Sequence, residues 1–243
     1  CQSMLKFLPM EGRLKCLENM LVTIVGSGKK EKIARIEGTT IFVNSSVIRN
    51  TSNNPVDLLI SDGLMSYDDE LRKAKDAFGM NSSDSFNMRR GKRDSIKKAT
   101  INNLYIVSDN DLVDIKKRLS TLGITYDFLN IVNRKWISKE ILKGYKLDLL
   151  MTKKIWCLIS HMLYLLIGKS VPSRYKPSTG GIGILLVNSI FDSKIRLDGI
   201  GNNKKTAFYP IDSPDLENAE YNNIHEIVDE LILRKNRKKI EFI

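Results

Sequence analysis

Histidine and cysteine are scarce in this chain, and their scarcity removes whole classes of chemistry. There are two histidines, His161 and His225, and three cysteines, Cys1, Cys16 and Cys157. The cysteines have no metal-ligand spacing, and two distant histidines do not make a zinc site. Three cysteines cannot all pair within one chain, which points to a reducing compartment. Long apolar runs are also missing. The longest, Ile155 to Ile167, is broken by Ser160 and His161 and reads as a core helix, not a membrane span. No secretory leader is recognisable, and the chain starts at Cys1 rather than Met. A cytoplasmic protein is therefore expected. Aromatics make up 7% of residues, the basic residues are dispersed, and no RNA-binding signature occurs. The dinucleotide fingerprint G-x-G-x-x-G is absent too, because Gly26-Ser27-Gly28 runs on to Glu31. A dehydrogenase is thereby disfavoured. No internal repeat is visible.

What remains is 243 residues of ordinary hydrophobicity, 42%, enough for one large domain. The net charge of +11 calls for an anionic partner: a nucleotide, nucleic acid, acidic lipid or anionic glycan. Leu21 to Gly28 is a buried-strand pattern running into a glycine turn, followed by a short helix over Lys29 to Ile36. Strands are expected at Thr39 to Asn44, Val56 to Ile60, Leu104 to Val107 and Tyr126 to Val132, each of the first three running into small polar residues. Such ends share a crevice in an open α/β sheet. Helices are expected at Leu112 to Leu119, Ser138 to Gly144 and Thr152 to Ile167, with His161 as a core or groove residue in the last. Residues 81–98 are polar and basic and read as a mobile loop. Asp109 and Asp111 form a D-x-D pattern, either a metal site or helix capping, the latter being the cheaper explanation.

The central stretch is Lys176 to Gly201. Pro177 stops what precedes it. Ser178 and Thr179 are good N-caps, Gly180 and Gly181 allow a close backbone approach, and an apolar helix follows over Ile182 to Phe191. Lys194 to Leu197 is then a strand ending at Asp198-Gly199. Free N–H groups at that helix start would take a carboxylate or phosphate. A capped core helix with nothing bound is the plain alternative. The chain ends in a helix from about Ile224 and a basic tail, Arg234 to Lys239, suited either to a helix C-terminus or to acidic lipid.

Three short motifs in order, Val25-Gly26-Ser27-Gly28 with Val43-Asn44 and Val56-Asp57, then Pro177-Ser178-Thr179-Gly180, then His225 with Glu230, resemble those of the animal-type sialyltransferases, in a bacterial-type form. Pro177-Ser178-Thr179-Gly180 and the strand after it resemble the small sialylmotif. Val25-Gly26-Ser27-Gly28, Val43-Asn44 and Val56-Asp57 resemble the large one, with Ser27 where the family usually has Asn. His225, followed by four residues and Glu230, resembles the last motif. The family's intermediate histidine is absent, and Tyr209 in Ala207 to Pro210 stands in that interval. Residues 66–170 match no family motif.

The resemblance implies a single glycosyltransferase domain over 1–243. Its fold would be Rossmann-like α/β, an open sheet with helices on both faces. Residues 21–63 would form the nucleotide-binding half and 176–243 the donor carboxylate and catalytic part. It implies inverting transfer of sialic acid, or a related acidic sugar such as Kdo, from its CMP donor. The acceptor would be a surface glycan, lipooligosaccharide or capsule. His225 would be the general base and Tyr209 would donate to the departing phosphate. Gly26, Ser27, Gly28, Asn44, Ser178, Thr179, Gly180 and Glu230 would bind the donor, with no metal required and no nucleic acid as partner. Peripheral contact with the inner face of an acidic membrane fits the acceptor class. Two alternatives stay open: a metal-dependent UDP- or GDP-sugar transferase using Asp109 and Asp111, and a nucleic-acid-binding protein.

Overall fold

The structure is a computed structural model and describes residues 21–26, 32–33, 38–65, 93–143, 154–171, 176–190, 193–200, 228–229, 231–233 and 235–243. Seven strands form one sheet: β1 (Leu21–Val25), β2 (Thr39–Val43), β3 (Val56–Ser61), β4 (Ile101–Val107), β5 (Phe128–Val132), β6 (Lys194–Asp198) and β7 (Ile240–Phe242). Their order is β5-β4-β3-β2-β1-β6-β7, and every neighbouring pair is parallel. The chain builds outward from β1 to β5 and then returns to β1's other edge with β6. The order therefore reverses between β1 and β6, the switch point of a doubly wound sheet.

The strands in the middle of the sheet are rich in buried Val, Ile, Leu and Phe because a parallel sheet is covered on both faces, whereas the edge strands β5 and β7 are largely exposed. Val22 and Ile24 join one core with Leu59 and Ile195, whereas Val25 joins another with Leu58, Ile60 and Leu104. Helices α2 (Arg134–Leu142) and α4 (Thr179–Ile190) cover the first core through Ile137, Ile141, Ile182 and Leu186. Helix α1 (Leu112–Thr121) covers the second through Ile115 and Leu119. The expected α/β fold, an open Rossmann-like sheet with helices on both faces, is the one observed. A further helix, α3 (Lys154–Leu166), packs on α2.

Helix α4 crosses β1, β2, β3 and β6. It starts at Thr179, so Gly180 and Gly181 lie inside the helix, not in a loop before it. Three glycines at 180, 181 and 183 each cost about 1 kcal/mol of helix propensity. Ile182, Ile184, Leu185, Leu186 and Val187 are all buried and each contributes roughly 1.5–3 kcal/mol over exposure, so packing wins.

Two elements differ from the sequence expectation. Within the stretch read as a mobile loop, residues 93–97 form a helical turn with Ile96 fully buried. Beyond the basic tail, Ile240–Phe242 is a strand paired to β6. No helix among the described residues is long and apolar enough to cross a membrane.

Candidate functional site

Because every strand is parallel, all carboxyl ends lie on one edge of the sheet. Gly26 follows β1 there, Asn44 follows β2, Asp62 follows β3, Ser108 and Asp109 follow β4, Asn133 and Arg134 follow β5, and Gly199 follows β6. The α4 N-terminus is on the same edge, since Gly180 packs against Ile200 just past β6.

At the switch point the ends of β1 and β6 are in direct contact. The Gly26 N–H donates to the Asp198 carbonyl at 2.7 Å. A Cβ at Gly26 would overlap the Gly199 carbonyl oxygen and the Ile200 side chain, so nothing larger than glycine fits. Arg49, 1% exposed, reaches in from the 3-10 turn Asn44–Arg49. It donates to the Gly26 carbonyl at 2.8 Å and to the Asp198 carboxylate at 2.9 Å. Ser46 completes the join, donating to the Val25 carbonyl at 2.6 Å while accepting from the Val43 N–H at 2.8 Å.

Asn44 opens that turn with φ of 53°, a left-handed conformation that Asn tolerates. Its Oδ1 accepts from the Ser61 N–H at 3.2 Å and so joins the end of β2 to the end of β3.

A cluster of four charges lines the neighbouring strand ends. The Arg134 guanidinium pairs with the Asp62 carboxylate and lies 3.8 Å from the Asp109 carboxylate. The Arg134 N–H donates to Asp109 Oδ1 at 3.1 Å. Lys176, just before α4, lies within electrostatic reach of the same three residues. Burial is the main influence on its ammonium and holds its pKa below the usual lysine value; Asp62 and Asp109 oppose the shift and Arg134 adds to it. Two carboxylates balance two cations, so the cluster offers both acceptors and donors to a polar ligand.

The α4 start is a capped helix end with a carboxylate beside it. Ser178 Oγ accepts from the Gly181 N–H at 3.1 Å, the usual N-cap contact. The Ser178 N–H donates to Asp229 Oδ1 at 3.0 Å. A Cβ on Gly181 would collide with that same oxygen, so glycine there admits the carboxylate. The positive end of the helix thus already carries one negative group, from the C-terminal helical segment. The N–H groups of Thr179 and Gly180 make no hydrogen bond among the described residues.

Asp111 and His161 have plain structural roles. Asp111 caps α1, accepting from the Asp114 N–H at 2.8 Å, and Asp109 is engaged with Arg134. Among the described residues no group of three or more metal-ligating side chains occurs. His161 is fully buried with Nδ1 2.9 Å from Ser138 Oγ on α2, a core histidine.

No family model, curated protein or solved structure matches this chain.

Of the residues read from sequence, Gly26, Asn44, Ser178, Thr179 and Gly180 come together on the carboxyl edge. Ser27, Gly28, Tyr209, His225 and Glu230 lie outside the described residues. Sequence reasoning missed Arg49, Arg134, Lys176 and Asp229. Arg134 follows an N-capping Asn directly after a strand, which was a usable signal. Asp229 lies one residue before Glu230 in the last motif, so its neighbourhood was marked although its role was not.

Proposed function

We infer that this chain transfers an acidic sugar from a CMP donor to a hydroxyl of a glycan acceptor, with inversion. The observation that carries the reading is the Ser178-Thr179-Gly180 helix start beside the β1/β6 switch point, with Lys176 next to it. A sugar carboxylate would take the Thr179 and Gly180 N–H groups, with the Lys176 cation needed to offset its repulsion by Asp229 on the Ser178 N–H. A nucleotide sugar carries both phosphate oxygens and hydroxyls, which suits the mixed cluster of Lys176, Arg134, Asp62 and Asp109. Asn44 and the Gly26-Ser27-Gly28 turn would hold the nucleotide, with Glu230 on the donor side.

In the reaction, His225 takes the proton of the acceptor hydroxyl. The acceptor oxygen attacks the anomeric carbon, and the bond from that carbon to the phosphate oxygen breaks. CMP leaves with the electron pair, with Tyr209 donating a hydrogen bond to it. A lipooligosaccharide or capsule acceptor would bring the protein to the inner face of a membrane as a peripheral partner. The metal-dependent alternative is disfavoured, because Asp111, the second acid of its D-x-D pair, caps α1 and lies apart from the charge cluster that Asp109 joins.

The test is thermal unfolding with CMP, UMP, GMP and AMP. CMP is expected to raise the melting point, by an amount equivalent to about 2.7 kcal/mol at a hundredfold excess over Kd. AMP and GMP are expected to leave it unchanged. His225→Ala should keep the CMP shift and lose transfer by about 10²–10⁴-fold. Equal shifts from all four nucleotides, or none from CMP, would remove the donor assignment.

A further inference from the structure

The opposite edge of the sheet carries a separate cavity of about 340 Å³ at the amino ends of β2, β3 and β4. That is the lower end of the roughly 300–1,000 Å³ of small-molecule pockets. Its polar lining includes Thr39, Thr40, Asn54, Asp57 and Asn102, and Pro55 adds apolar surface.

Asp57 is the unusual member. The β3–β4 register shifts between Val56 and Leu58, and Asp57 sits at that irregularity. Its Oδ1 accepts from the Asn103 N–H at 3.2 Å, Asn103 Nδ2 at 2.7 Å and Asn102 Nδ2 at 3.3 Å. These bonds repair the ladder, and they explain one oxygen. Oδ2 takes none of them, and Asp57 makes no ion pair among the described residues of a chain with net charge +11. Burial pushes its carboxyl above the usual aspartate value, against the three hydrogen bonds. Asn102 uses Nδ2 on Asp57, which leaves its Oδ1 as a second acceptor. Among the described residues, the side chains of Thr39, Thr40 and Asn54 make no hydrogen bond, and each can donate or accept.

We propose that this cavity binds one neutral pyranose ring, held by adjacent ring hydroxyls on Asp57 Oδ2 and Asn102 Oδ1. A pyranose supplies adjacent donors for the two acceptors. It also spreads further hydroxyls toward Thr39, Thr40 and Asn54, and sets its C–H face on Pro55. A single ammonium would satisfy Asp57 and leave the other groups unused. The inference is independent of the transferase reading, because the cavity and the α4 N-terminus lie on opposite edges of the sheet.

The experiment is amide chemical-shift titration of the full chain with glucose, galactose and N-acetylglucosamine, and with ethanolamine as the amine-only control. Saturable millimolar binding of at least one sugar is expected, with shifts at residues 39–40, 54–57 and 102. Asp57→Asn keeps Oδ1 as an acceptor and should weaken binding about tenfold or more, the worth of one charged hydrogen bond. Asn54→Ala, in an exposed loop, should weaken it without touching the fold. Saturating CMP and the Ser178→Ala variant should leave it unchanged. No saturable sugar binding, unchanged binding by folded Asp57→Asn, or ethanolamine binding as tightly as the sugars would overturn the proposal.

Discussion

Arg49 and Asp57 are both charged side chains drawn into the protein, and they are held in opposite ways. Arg49 has a carboxylate and backbone carbonyls as partners. Truncating one side of a buried pair strands the other, so Arg49→Ala should cost about 3–5 kcal/mol in urea unfolding. The double variant Arg49→Met, Asp198→Leu should cost less than either single change, because both charges leave together. Asp57 has hydrogen bonds and, among the described residues, no ion pair, and burial wins over the hydrogen bonds. Its pKa is higher folded than unfolded, so the folded state binds the proton more tightly between 3.8 and the raised value. Stability is therefore lost as pH rises through that window. Asp57→Asn has no proton to lose. Its melting point relative to wild type should climb as pH increases from below 3.8 and then level off. A constant difference across pH would contradict the burial argument. Tyr105, which feels Asp57, is itself pushed up to about 12 by burial and by Asp57, and stays neutral throughout.

At the scale of elements, the α4 start joins a cap and a carboxylate on adjacent groups. Ser178→Ala removes the Oγ acceptor and should cost roughly 0.5–2 kcal/mol. Asp229→Ala removes the charge from the same helix end and should cost a further 0.3–1 kcal/mol or so. The two share the Ser178 residue, so the double variant should fall short of the sum, as measured by a double-mutant cycle in denaturant. Strands β1 to β4 were legible as apolar runs that lead into Gly, Asn, Asp or Ser, and β5 and β6 as short strands in which Leu129, Ile131, Ile195 and Leu197 alternate with exposed or polar residues. Two elements were not. Residues 93–97 hold a single core residue, Ile96, inside a basic run, and one apolar position makes no period. Strand β7 has three residues at the sheet edge with Glu241 and Phe242 exposed, so it carries no buried-strand signature. Candidate site residues divide the same way. Ser178 and Thr179 announce themselves by local cap chemistry. The Asp62, Asp109, Arg134 and Lys176 cluster is assembled from four distant stretches; a local pattern marks Asp109 and the start of the Arg134 helix, but nothing local shows that the four meet.

For the whole molecule, the parallel arrangement separates the two edges by the length of a strand, about 3.3 Å per residue. The charged strand ends and the α4 start share one edge, and the Asp57 cavity has the other. The same topology has a consequence in time. Strands β2 to β5 each pair with the strand made just before them, so that five of the seven strands can assemble as the chain emerges. The β1 strand must wait on its other edge, because Leu21 pairs with Lys194. Closing so long a loop is entropically costly and slow. The switch point, with Arg49 across Gly26 and Asp198, thus comes into being late, after most of the polypeptide has been synthesised. Until then a part-built sheet leaves β1 as a raw edge, which is the interval when this protein is most exposed to pairing with the wrong neighbour.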